Sequence, residues 1–109
     1  MLSWEDFKKV EMRVGTVLRA SAFSEARSPA YKIEIDMGEL GILKTSAQIT
    51  ELYNTDDLVG KQVIAVVNFP KKQIANFMSE CLILGVLGDD KGVTLLTADK
   101  PVKNGSLIG

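Results

Sequence analysis

The chain has 109 residues, 46% hydrophobic and 25% charged, with thirteen lysines and arginines against fourteen aspartates and glutamates. This describes one globular domain over residues 1–109, long enough to bury a core without disulfides. The balance argues against a dedicated nonspecific nucleic-acid binder, which is normally basic, and no apolar run nears the roughly 20 residues of a membrane span, so no membrane insertion is expected.

In chain order, "MLSWEDFKKVEMR" sets acids ahead of any apolar stretch, unlike a signal or transit peptide, so a cytoplasmic location is expected. "SWEDFKK" predicts one helical turn, capped by Ser3 with Asp6 at the capping-box spacing. Trp4 and Phe7 share a face of that turn and need something to pack on, either this domain or a second subunit. "MRVGTVLRASAF" alternates Val14, Thr16 and Leu18 against Arg13, Val17 and Arg19, a half-buried strand in which Gly15 suggests a bulge or bend. "FSEARSPAY" is a loop. "YKIEIDM" alternates most cleanly, with Tyr31, Ile33, Ile35 and Met37 on one face and Lys32, Glu34 and Asp36 on the other.

A turn at 38–41 leads to a third strand, "ILKTSAQ". "ITELYNTDDLVG" predicts a helical stretch whose final turn is capped by Thr55, carries Asp56 and Asp57 early and stops at Gly60. "KQVIAVVNF" is apolar on both faces, which fits a central strand or one covered by a partner. "ECLILGVL" has the same character, "GDDKG" reads as a hairpin turn, "VTLLTAD" as a strand, and Asn104-Gly105 as a turn near the end. About six short strands with a helix between the third and fourth predict an all-β protein with short helices. The expected architecture is a small closed barrel of the oligonucleotide/oligosaccharide-binding (OB) type.

Enzyme chemistry finds little support. The chain has no GxGxxG, GxxxxGKS, GxSxG or CxxC, and no histidine to serve as base or ligand. Glu34 and Asp36 lie on the polar face of an alternating strand, and Asp56, Asp57, Asp89 and Asp90 fit helix-start and turn positions. Cys81 sits within an apolar run and suits a small core residue. No catalytic residue, metal or cofactor is expected.

The stretch "NFPKKQIANFMSECLILGV" (68–86) is the most unusual. Pro70 ends a strand because it cannot donate a ladder hydrogen bond, and Lys71 and Lys72 follow at once. Surface lysines often only solubilise a loop. Here Asn68, Lys71, Lys72 and Ser79 also supply the phosphate and hydroxyl contacts a strand of RNA requires, although no exposed aromatic row accompanies them. Phe77 beside Met78 reads either as core or as an adaptable pocket for apolar peptide side chains.

The segment "NFPKKQIANFMSECLILG" resembles the signature of CsaA-type secretion chaperones, a branch of the tRNA-binding-domain family. "RVGTVLRA", "EARSPAYKIEIDMG", "KTSAQIT", "LVGKQVIAVVNFP" and "NGSLIG" follow in that branch's order, so the resemblance covers essentially the whole chain. It implies an OB-fold barrel with short N- and C-terminal extensions, in a homodimer. Trp4, Phe7, Val63, Ala65 and Val67 would then form the dimer interface.

The resemblance also implies an export-related chaperone that binds unfolded or precursor polypeptides in an apolar groove. Ser46, Gln48, Asn68, Phe69, Phe77 and Met78 are the peptide-binding candidates. The wider family contains tRNA-binding modules, so the alternative is a structure-specific tRNA binder using Arg27, Lys32, Lys44, Lys71, Lys72 and Ser79. Those modules usually carry S-x-G-M where Ser79 to Leu82 stand here. Ser79 fits that pattern; the glycine and methionine are absent.

Overall fold

The computed structural model describes residues 1–88 and 92–109. Its most regular strand is the one with the cleanest alternation. In β2 (Tyr31–Asp36), Ile33 and Ile35 are buried while Lys32 and Glu34 stay half-exposed. β1 (Met12–Ala22) pairs antiparallel with β2 through its second half and with β4 (Gln62–Val66) through its first; the two ladders share Thr16. β3 (Ile42–Ala47) lies beyond β2, and β7 (Leu82–Ile83) lies beyond β4. β10 (Leu107–Ile108) returns to pair with Met12 and Arg13.

The main sheet therefore runs β3-β2-β1-β4-β7, with β10 alongside β1. It curls until its ends approach. The Glu80 N–H donates to the Lys44 carbonyl at 2.7 Å, and Thr45 Oγ1 donates to the Cys81 carbonyl at 2.6 Å. The result is a nearly closed OB-like barrel around Val17, Ile33, Ile35, Leu58, Val63 and Ala65. Two small hairpins complete the fold: β5 (Lys72–Ile74) with β6 (Phe77–Ser79), and β8 (Gly85–Leu87) with β9 (Val93–Leu95). The turn expected at "GDDKG" falls mostly outside the described residues. No helix among the described residues is long and apolar enough to cross a membrane.

Both short helices start on capping boxes. α1 (Trp4–Lys8) has the expected Ser3–Asp6 pair, with the Asp6 N–H donating to Ser3 Oγ at 3.0 Å. α2 (Thr55–Leu58) is a single turn between β3 and β4, shorter than the stretch expected from residue 49. Its cap is Asn54 rather than Thr55, because Asn54 Oδ1 accepts from the Asp57 N–H at 2.9 Å. Leu58, the one buried residue of α2, plugs that end of the barrel core.

The irregularity expected at Gly15 lies further on. The β1–β2 register shifts between Val17 and Arg19, so Val17 turns inward and Leu18 outward, which reverses the expected grouping of those two. Gly15 has another reason to be glycine: a Cβ there would come within 2.6 Å of Ile35 Cγ2 and 2.8 Å of the Asp36 carbonyl oxygen.

In β4 the apolar run hides a clear division. Val63 and Ala65, at 1% and 0% exposure, belong to the core, and the half-buried Val67 packs against it. Val63 and Ala65 therefore have no surface to give a partner, and their assignment to a dimer interface is corrected. Alternation places Ile64 and Val66 on the opposite face, where Ile64 is half-buried and Val66 is buried as well.

Candidate functional site

The segment after Pro70, which reads as a loop, is a hairpin. Lys72 pairs with Ser79, Gln73 with Met78 and Ile74 with Phe77. Its two-residue turn puts Ala75 at φ +51°, a left-handed conformation unusual for a residue other than glycine. Gln73 Nε2 donates to the Ala75 carbonyl at 3.1 Å, and Asn76 Nδ2 donates to Glu25 Oε2 at 3.3 Å, tethering the hairpin tip to the 23–30 loop. Hydrogen bonds hold the Glu25 carboxyl below its usual range. The Ser24 hydroxyl is foremost, with Glu25's own backbone and Asn76 adding to it.

Consecutive strand residues face opposite ways, so Phe77 and Met78 do not line one pocket. Phe77 is half-buried, its ring edge-on to Phe23 with centroids 5.4 Å apart. Met78 lies on the other side of the hairpin at 39% exposure, across from Gln73, and Phe69 stands at 55% exposure at the hairpin's entrance. Phe23 is buried and the Tyr31 hydroxyl donates to the Tyr53 carbonyl, so neither offers an open ring for base stacking.

The expected cations divide into three groups. Lys32 and Lys44 extend over the aromatic pair, their Nζ atoms 5.5 Å from the Phe23 centroid and 5.7 Å from the Phe77 centroid. Lys71 pairs with Glu80 at 3.4 Å. Lys72 is exposed opposite Ser79, and Arg27 is exposed in the 23–30 loop. Ser46 lies opposite Lys32 on β3 and Gln48 is exposed just beyond that strand, so these two border the face carrying Lys32 and Lys44.

Two of the expected ligand contacts also hold the barrel together. Asn68 Nδ2 donates to the Lys9 carbonyl at 2.6 Å, and its Oδ1 accepts from the Glu11 N–H at 3.0 Å. The side-chain amide thus stitches the N-terminal segment to the barrel. Ser79 Oγ lies 3.2 Å from Thr45 Oγ1 and 3.4 Å from the Cys81 carbonyl, within the bonds that close the barrel.

Glu80 was not among the residues the sequence singled out. Its Oε1 accepts from the Lys44 N–H at 2.8 Å while Oε2 meets Lys71. Only its place eight residues after a lysine pair hinted at it; the curl of the sheet brings it to Lys44. Phe7 lines a cleft of about 290 Å³ between the N-terminal segment and Leu107 to Gly109, whereas Trp4 is 82% exposed.

Comparison with known proteins places this arrangement. Residues 12–107 match the family described as "Putative tRNA binding domain". The crystal structure of the chaperone CsaA from Bacillus anthracis superposes with a TM-score of 0.95 at 49% identity, covering 100% of this chain and 99% of that one. The chain is a CsaA-type member of the tRNA-binding-domain family.

The CsaA chaperone protein of Picrophilus torridus is similarly close, with a TM-score of 0.94 and 48% identity over all of both chains. The methionine–tRNA ligase of Streptococcus pneumoniae strain TIGR4 is 37% identical over 110 residues, which cover 99% of this chain and 16% of the enzyme. That of Leptospira biflexa strain Patoc 1 / Ames is 33% identical over 104 residues, covering 95% of this chain. The chain spans about 15% of the length of the Leptospira enzyme. The CsaA-type likeness thus takes in both terminal segments.

Proposed function

We propose that this CsaA-type chain is a homodimeric chaperone that binds extended, partly apolar segments of unfolded or precursor polypeptides along the β5–β6 hairpin, without catalysis. One observation carries this reading. The hairpin is a two-stranded sheet separate from the main one, so among the described residues no strand covers the outer edge of β5, and exposed Met78 lies across from Gln73 with exposed Phe69 at the hairpin's entrance. An open edge offers backbone pairing to any extended chain, and neighbouring apolar side chains add affinity without demanding one sequence. Phe77 supports the hairpin from beneath. Such breadth costs affinity, so binding on the order of micromolar, about −8 kcal/mol, is expected.

The dimer is supported by apolar surface at the barrel's terminal side. Leu2, Trp4 and Leu107 are exposed there, and Leu82 stands exposed at the end of a cross-strand row that begins at the half-buried Met12. Sedimentation equilibrium tests this directly, and a monomer at micromolar concentration contradicts it.

The family match supports a second reading, tRNA binding through Lys32, Lys44, Lys71 and Lys72. Titration of a labelled unfolded client and of labelled bulk tRNA, each followed by anisotropy, separates the two. The chaperone reading expects Phe69→Ala with Met78→Ala to weaken client binding about tenfold. Unchanged client binding, together with tRNA binding lost on Lys71→Glu and Lys72→Glu and falling steeply with salt, would favour RNA.

A further inference from the structure

Three cations near the hairpin and the adjoining sheet face, Arg19, Lys44 and Lys71, have an acid close by. Arg19 pairs with Glu34 at 3.8 Å, and Glu34 lies directly across from Lys44 in the β2–β3 ladder. Lys71 pairs with Glu80. These acids differ in how firmly they are held. The Arg19–Glu34 pair is exposed on both sides, and such pairs shift freely. The Glu80 side chain is only 18% exposed against 66% for Lys71, and it is fixed from two directions. Its backbone N–H donates to the Lys44 carbonyl, and its Oε1 accepts from the Lys44 N–H. The carboxylate is therefore a rigid negative charge between β3 and the hairpin, with its second oxygen aimed at Lys71.

We infer that Glu80 is a specificity-determining residue, which keeps polyanions such as RNA off the hairpin face and leaves it to polypeptide. The inference rests on the chaperone reading of that face. A phosphate approaching Lys71 must displace Glu80 from it and then lie beside a carboxylate that cannot swing away, because leaving would break the bond to the Lys44 N–H. A polypeptide carries dipolar backbone groups and no regular negative charge, so it meets no such repulsion. Selectivity of this kind comes from a repulsive element placed against the wrong ligand.

Glu80→Gln isolates the charge, since the glutamine side-chain oxygen still accepts from the Lys44 N–H while Lys71 loses its partner. An unchanged thermal midpoint shows that the barrel is intact. Bulk tRNA is expected to bind Glu80→Gln about three- to fivefold more tightly than the parent at low salt. The dependence of log K on log salt should steepen by about one as Lys71 becomes free for phosphate. Lys71→Gln alone should leave tRNA affinity within about twofold, yet the same change on top of Glu80→Gln should erase the gain. This non-additivity is the signature of a coupled pair.

If Glu80→Gln leaves tRNA affinity and its salt dependence unchanged, or if neither protein binds tRNA at low salt, Glu80 is not what excludes RNA and the inference is overturned. An unfolded client titrated in parallel keeps the two ideas apart. Client binding intact with no tRNA gain overturns the role of Glu80 alone. Client binding absent from the parent overturns the chaperone reading.

Discussion

β2 and the β5–β6 hairpin both neighbour β3, and they are built in opposite ways. β2 meets β3 through a six-residue ladder and sends Ile33 and Ile35 into the core at nearly zero exposure. The hairpin meets β3 chiefly through Glu80 and the polar contacts among Thr45, Ser79 and Cys81, and none of its six strand residues is fully buried. A strand whose side chains are consumed by the core has half of itself left for ligands. A hairpin held by a few polar bonds and one edge-on ring pair keeps nearly all its surface available, at the cost of local stability.

The contrast can be broken in three places, from the largest effect to the smallest. Ile35→Ala opens a cavity in the centre of the barrel and should lower unfolding free energy by about 2–5 kcal/mol in a denaturant titration. A loss below about 1 kcal/mol would mean that β2 is not the structural half.

Cys81 stands where the hairpin returns to the core, and its effect should be intermediate. Burial, only partly offset by the Thr45 hydroxyl and reinforced by Glu80, pushes its thiol from 9.0 up to about 11. The folded state thus keeps a proton that the unfolded chain has already released. The contribution is complete below pH 9 and is lost as pH rises toward 11, by roughly 2–3 kcal/mol at most. Cys81→Ala should flatten that part of the pH–stability curve. An equal fall in both proteins would show that the thiol is not sealed into the core.

Met78→Ala should change stability by no more than about 0.5 kcal/mol, because the side chain is already in contact with solvent. A loss of more than 2 kcal/mol would make the hairpin a structural element like β2.

The same contrast explains how much could be read from the sequence. Strict alternation made β2 legible residue by residue, and the capping spacing made α1 legible. Number, spacing and the mid-chain helix led to the barrel. Gly15 was misleading because close approach to Ile35, rather than a bulge, demands glycine there. In β4 an unbroken apolar run carries no period, so nothing marked Val63 and Ala65 as core positions distinct from Ile64. The hairpin was invisible because its strands are three residues long and its turn uses Ala75-Asn76 instead of a glycine pair. The tethering role of Asn68 and the placement of Glu80 were not legible, for a common reason. Asn68 and Glu80 owe their roles to Lys9, Glu11 and Lys44, partners that only the folded barrel brings beside them.

The most direct test of the central claim is amide hydrogen exchange across the chain with and without a saturating unfolded client. New protection is expected to concentrate in residues 69–80 and extend to 44–48, with β2 and β4 unchanged. Protection confined to another surface, such as the exposed Val86 and Leu87 of the β8–β9 hairpin, with 69–80 unaffected, would contradict it.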